Sequence, residues 1–163
     1  MSLVLQLSDG TTTLDFLGST YAAQALDLGN PADIRAEAMS LFREGWDLIA
    51  QRFTKRTITI SLKVTTASLL AMDTAIRDLH EALRKARLWA MHDLDSRWRL
   101  QFNPGGSATS VYFVVKNGGF ALPPESLRAT LMLKDTNPII LRASLVLECD
   151  PLGEGTEETL ENY

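Results

Sequence analysis

The stretch Arg56-Thr-Ile-Thr-Ile-Ser-Leu-Lys-Val64, together with the helical pattern that follows it to about Met91, decides the fold. Apolar and polar residues alternate over 56–64, which predicts a strand with one buried and one exposed face. Beyond it, apolar residues recur at steps of three and four and predict a helix over 68–90, about six turns long. They are Leu69, Met72, Ile76, Leu79, Leu83, Ala86 and Ala90. We expect this stripe to pack on the sheet face that carries Ile58, Ile60 and Leu62.

The N-terminal residues predict a two-stranded hairpin over 2–17. Alternating leucines precede Asp9-Gly10, and a second alternating run follows it up to Phe16. Asp-Gly between two such runs is typical of a tight type I′ turn, because that turn needs positive φ at both central residues.

The segment 18–54 allows two interpretations. Large apolar residues at steps of three and four between Met39 and Phe53 suggest a helix, but Gly45 in its middle costs about 1 kcal/mol relative to alanine. We favour a loop followed by a strand over 46–53. The aromatic side chains of Phe42, Trp46 and Phe53 either cover the main core or form a surface that docks a neighbouring subunit.

The C-terminal half predicts four more strands, over 97–102, 111–116, 127–133 and 139–148. Glycine pairs at 105–106 and 118–119 are interpreted as turns between them. With about seven strands and one long helix, the fold class is α+β: an antiparallel β-sandwich or rolled sheet with the helix packed on its flank. We expect a single domain over 1–149 and an acidic tail or linker over 150–163.

Composition excludes several classes of function. The 163 residues carry a net charge of −4 and a pI of about 5.2, which argues against a general nucleic-acid-binding protein. The single cysteine, Cys149, cannot form an intrachain disulfide. The N-terminus lacks the pattern of a signal peptide, and no apolar run is long enough to span a membrane. These features predict a soluble protein made in a cytoplasm, with no membrane partner.

No group of residues predicts catalysis, a metal site or a cofactor site. His80 lies within the helix and His92 at its end, without the three or four converging ligands that zinc needs. Cys149 has no histidine near it in sequence, and neither glycine pair fits a nucleotide-binding loop. Arg97 and Arg99 are interpreted as a solubilising face of a strand rather than a phosphate-reading patch. We predict that the chain is not an enzyme.

The order of these elements resembles a known family. The resemblance is carried by Asp9-Gly10, Phe42-Arg-Glu-Gly45, Arg56–Val64, Ser68–Arg87 and Ile139–Pro151. Together they are similar to the N-terminal domain of distal-tail-type components of tailed phages, and to related tail-tube and baseplate proteins. The resemblance implies a homo-oligomeric ring, usually six-fold, around a channel that DNA can pass. It also implies contacts with other tail or baseplate proteins, assembly in the host cytoplasm, a place in the virion tail, and no catalytic residues.

Three function classes follow. The first is a structural subunit of a phage tail or tail-like particle, in which Phe42, Trp46 and Phe53 form a subunit interface. Tube, distal ring and related injection device all remain open as its place in the particle. The alternative is a stand-alone β-sandwich binding module for carbohydrate or a protein partner, with Trp46, Trp98 or Tyr112 as its aromatic platform. An enzyme with a nonstandard site is a third and weaker interpretation.

Overall fold

The computed structural model describes residues 2–39, 46–92, 95–106, 108–122 and 138–155, with only the backbone described in 35–39 and 46–52. It confirms the α+β class: one long helix lies against an antiparallel sheet of eight strands. The elements are β1 (Val4–Ser8), β2 (Thr13–Asp15), β3 (Tyr21–Asp27), β4 (Pro31–Met39), β5 (Trp46–Thr66), α1 (Leu69–His92), β6 (Arg99–Asn103), β7 (Val111–Ala121) and β8 (Ile139–Cys149).

The sheet is rolled. Its strands follow the order β2-β1-β6-β7-β8-β5-β3, and β4 pairs with the part of β5 that lies outside this path. The two ends of the order approach each other where Leu17 forms an antiparallel bridge with Ala22. The N–H of Ala23 also donates to the Phe16 carbonyl at 2.7 Å. The sheet therefore curves around a single core that it shares with α1.

The predicted alternation of β5 is confirmed. Ile58, Ile60, Leu62 and Val64 are each at most 1% exposed, while the alternating polar residues are partly or largely exposed. Each such aliphatic side chain stabilises the fold by about 1.5–3 kcal/mol through burial. This strand thus supplies the centre of the core.

The predicted helix is confirmed, with its buried face turned slightly from the expected stripe. The Ser68 hydroxyl accepts from the N–H of Ala71 at 3.2 Å and caps the N-terminus, as its residue type suggests. Leu69 is 49% exposed, and Ala90 is exposed as well. The buried residues are Met72, Ala75, Leu79, Ala82, Leu83 and Ala86. Small alanines in this stripe let the helix lie close to the sheet.

The predicted turn at Gly118-Gly119 is wrong, because β7 continues through both glycines to Ala121. A Cβ atom at Gly118 would lie 2.7 Å from Leu83 Cδ2 and 3.0 Å from the Val146 carbonyl oxygen. The missing side chain therefore makes room for α1 against the strand. The sequence shows two glycines here but not the helix above them.

The hairpin over 2–17 is confirmed as β1 and β2, but its turn differs from the predicted one. The strands pair as far as Ser8 and Thr13, which leaves a four-residue loop. In this loop only Gly10 has positive φ, at 91°. The Asp9 carboxylate accepts from the N–H groups of Thr11 and Thr12 at 2.9 and 2.7 Å. Hydrogen bonds to the aspartate side chain thus hold this loop, which needs positive φ at only one residue.

The 18–54 segment is only partly as predicted. The strand over 46–53 is confirmed as the first part of β5, so the helical alternative there is wrong. The loop expected before it is also wrong, because β3 and β4 are strands. Alanines in both strands weaken the alternation that would have revealed them. The predicted strand over 127–133 lies outside the described residues, and 139–148 is confirmed as part of β8.

We predict that Leu79→Ala lowers the free energy of unfolding by about 2–5 kcal/mol, because Leu79 is fully buried between helix and sheet. Urea denaturation measures this. Leu70→Ala is the matched control, since Leu70 is on the same helix and 77% exposed. A loss below about 0.5 kcal/mol at Leu79 would contradict this packing.

Candidate assembly surfaces

The β4–β5 hairpin leaves the body of the protein. Residues 56–66 of β5 pair with β8, and 59–64 pair also with β3. From Lys55 back to Trp46, the only described partner of β5 is β4. We call residues 31–55 the arm. At ~3.3 Å per residue, the ten residues 46–55 extend at most about 33 Å beyond the last rung that β5 shares with β8.

The base of the arm is fastened to the body. Lys55 Nζ donates to Glu148 Oε1 at 2.5 Å, and this hydrogen bond, with a second from Asn117, holds the pKa of Glu148 below its ordinary value. The Arg56 guanidinium lies 5.1 Å from the centre of the Phe113 ring, and its Nε donates to the Pro151 carbonyl. These contacts lie where the arm leaves the body; the exposed pair of Lys55 and Glu148 contributes little to stability, whereas the Arg56 contacts are partly buried.

The predicted interface residues map to this arm where they are described. Trp46 lies opposite Met39 at the outer end of the described pairing, and Phe53 lies opposite Asp33 near the base. Phe53 is 46% exposed. Phe42 lies outside the described residues. Sequence reasoning missed Ile34, which is 63% exposed and could have been found by treating 31–39 as a strand.

A groove lies at the opposite end of β5, where the strand passes into α1. We call it the end groove; it has a volume of about 550 Å³. Its lining includes Tyr21, Thr66, Leu70, Ala71, Ala75 and Asp78. The Tyr21 hydroxyl donates to the Ala75 carbonyl at 2.8 Å and ties the first turns of α1 to β3. Burial, and then the charge of Asp78, raise the pKa of Tyr21 to about 12.

A second, polar groove of about 510 Å³ lies on the outer face of β1 and β6. Its lining includes Gln6, Ser8, Asp9, Arg97, Arg99 and Tyr112. Arg97 forms an ion pair with Glu154 at 2.5 Å and lies over the Trp89 ring. The predicted platform residue Trp98 is only 2% exposed and is therefore not available to a ligand, whereas Tyr112 lines the groove.

The first residues of the predicted acidic tail contact the sheet. Glu154 and Tyr112 exchange backbone hydrogen bonds of 2.7 and 2.8 Å. A Cβ atom at Gly153 would lie 2.4 Å from a Val111 methyl group, so the chain passes close to β7 there. Residues 150–155 thus lie along β7, while 156–163 are outside the described residues.

The titratable residues considered in the sequence do not converge. His80 packs edge-on against the Phe120 ring at 5.8 Å, and His92 ends α1. Burial, followed by the charge of Asp150, raises the pKa of the Cys149 thiol to about 12, which disfavours a reactive thiolate. Within the described residues, no three of His, Cys, Asp and Glu are grouped as metal ligands would be. In the same part of the chain, no helix has the length and hydrophobicity that crossing a membrane requires.

Comparison with known proteins does not assign a family. No protein-family model matches the sequence, and no curated protein matches it. The arm and the grooves must therefore be interpreted from their own geometry.

We predict that the stability difference between the wild-type protein and Tyr21→Phe depends on pH. The raised pKa means that the folded state favours the protonated phenol of Tyr21. The stability that this phenol contributes is therefore present below pH 10 and is lost as pH rises towards 12. Urea denaturation should show a difference of about 1 kcal/mol at pH 8 that shrinks above pH 10. Cys149 is present in both proteins, so the effect of its ionisation on stability cancels in the difference. An equal difference at pH 8 and pH 11.5 would contradict the prediction.

Proposed function

We propose that this chain is a structural subunit of a phage tail or tail-like particle, which assembles with copies of itself into a ring or tube around a channel. The observation that carries the proposal is the arm, a two-stranded ribbon that leaves the body and has exposed apolar side chains at Ile34 and Phe53. An isolated two-stranded ribbon is at best marginally stable in water. A neighbouring subunit that covers it would supply the missing burial.

The conformational entropy of the chain supports the same interpretation. Ordering the backbone of each residue costs about 1–2 kcal/mol, and pairing with one neighbouring strand offsets only part of this. The body offsets this cost by burying both its sheet and its helix in one core. The arm projects away from that core. On this proposal, contact with another copy offsets the entropy cost of ordering the arm.

The kind of particle is proposed from the resemblance of the sequence to distal-tail-type, tail-tube and baseplate proteins. On this proposal the ring is six-fold and DNA passes through its channel without sequence-specific binding. Other tail or baseplate proteins contact the ring, assembly takes place in the host cytoplasm, and the finished protein is part of the virion. The subunit has no catalytic role.

A stand-alone binding module for carbohydrate or a protein partner is the second candidate, favoured by the polar groove. Tyr112 lines this groove together with amide, hydroxyl and guanidinium groups, a combination that suits a polyhydroxylated ligand; they belong to Gln6, Gln101, Ser8 and Arg99. Such a module would remain a monomer or dimer and would bind glycans on an array. The oligomeric state therefore separates the two candidates.

We predict that the purified chain forms rings or stacked tubes that depend on the arm. Arg35 and Gln51 lie opposite each other, so residues 36–50 can be replaced by Asn-Gly, which closes the shortened hairpin with a two-residue turn. This variant should stay folded by circular dichroism but sediment as a monomer. Sedimentation velocity and negative-stain microscopy measure both proteins. Wild-type protein that remains a monomer at high concentration in moderate salt would refute the proposed function.

A further inference from the structure

The segment that follows β8 brings a carboxylate to two arginines of the polar groove. We call residues 150–155 the strap. Arg97 donates to the Glu154 carboxylate at 2.5 Å, and Arg99 Nε lies 3.9 Å from the second oxygen of the same carboxylate. Both arginines line the groove, where Asp9 supplies the one carboxylate among the described lining residues. The charges of these four side chains cancel, so removal of Glu154 leaves one positive charge in excess.

We propose that the polar groove binds an oligosaccharide that carries one acidic sugar, and that the sugar carboxylate takes the place of Glu154 on Arg97 and Arg99. The strap covers the two arginines until the ligand displaces it. This inference goes beyond the proposed structural role, and it does not require that copies of the chain assemble. It gives the groove both a ligand class and a means of closure.

The strap is anchored at its start and weakly held farther along. The Arg56 guanidinium donates to the Pro151 carbonyl at 3.1 Å, in a partly buried contact. Glu154 and Tyr112 exchange two backbone hydrogen bonds in an isolated bridge. The side chains of the Arg97–Glu154 ion pair are 35% and 42% exposed, and pairs this accessible contribute little to stability. A ligand can therefore displace the outer part of the strap while its start stays in place.

The neutral side chains of the groove indicate a sugar as the carrier of the carboxylate. The Gln6 amide donates to the Gln101 side chain at 2.6 Å, and the Gln101 amide donates to the Ser110 hydroxyl at 3.0 Å, so both amides are oriented. The Gln6 carbonyl oxygen and the Tyr112 hydroxyl form no hydrogen bond with another described residue. Both groups suit sugar hydroxyls, and about 510 Å³ is an ordinary volume for a small-ligand site.

The charge of the groove favours a single acidic sugar over an acidic peptide. Once Glu154 has left, Arg97 and Arg99 face the carboxylate of Asp9, so one added carboxylate restores neutrality. A glutamate-rich peptide would bring several negative charges close to Asp9 and would be repelled.

The first test compares Glu154→Gln with Glu81→Gln. Glu81 is a matched control, because it also lies against two cations, Arg84 at 2.8 Å and Lys85 at 3.9 Å, and its side chain is 45% exposed. It lies on α1 and does not line the polar groove. On an array of oligosaccharides that end in glucuronic or sialic acid, Glu154→Gln should bind about tenfold more tightly than the wild-type protein, because the competing carboxylate is gone. Glu81→Gln should bind like the wild-type protein.

A second pair of variants opens the strap without changing its charge. A Cβ atom at Gly153 would lie 2.4 Å from a Val111 methyl group, whereas a Cβ atom at Gly155 would meet no described atom within 4 Å. Gly153→Ala should therefore push the strap away from β7 and strengthen binding of the same oligosaccharides. Gly155→Ala should leave binding unchanged. Circular dichroism checks that both variants are folded, and Glu154→Gln decides the outcome if Gly153→Ala is not.

The array also carries carboxyl-reduced forms of each oligosaccharide and glutamate-rich peptides. The reduced forms and the peptides should not bind, and adding Arg97→Gln to Glu154→Gln should remove the binding of the acidic sugars. Equal binding of reduced and acidic forms, binding of the peptides instead, or no acidic sugar bound by Glu154→Gln would each overturn the inference. A gain in Glu81→Gln equal to that in Glu154→Gln would also overturn it. The ring is measured separately by sedimentation, so none of these results bears on it.

Discussion

The structure depends on the continuity of β5. This strand has 21 residues, and its two halves lie in different environments. Its C-terminal half has a strand on each side and the core beneath it, whereas its N-terminal half has β4 as its described partner. One strand spans both halves, but the register with β4 leaves Thr54 and Ile49 as extra residues in β5, so the strand bends within the arm. The arm is therefore not a loop that happens to be long, but an extension of the most deeply buried strand.

The two halves also differ in what stabilises them. Four aliphatic side chains of the body half are at most 1% exposed, and the helix packs over the same core through close contacts such as Leu83 against Gly118. Side chains at the base of the arm remain exposed, and the ion pair of Lys55 with Glu148 is solvent-accessible and contributes little. Local opening should therefore begin in the arm while the body stays folded. Intermolecular burial has its largest effect where intramolecular burial is smallest.

Periodicity in the sequence predicted the elements that bury one face strongly. The alternation from Arg56 to Val64 and the helical stripe through Leu79 were sufficient, because tertiary packing there agrees with local pattern. The strand character of β3 and β4 was missed, since alanines give little contrast between faces. Gly118 was assigned to a turn. It is needed instead because a side chain there would collide with Leu83, which lies 35 positions earlier in the chain, and the local sequence does not show this contact. For Phe53 the sequence left two interpretations open, a cover over the core or a docking surface, and the side chain is 46% exposed.

The end groove could not be predicted because it is produced by a short connection. Only Ala67 and Ser68 separate β5 from α1, so the last residue of the strand and the first turn of the helix must lie side by side. β3 then closes the space, because the Tyr21 hydroxyl donates to the Ala75 carbonyl. The walls of the groove are thus held by a buried hydrogen bond and a capped helix before anything binds. A preformed groove of this kind loses little conformational entropy when it binds a partner.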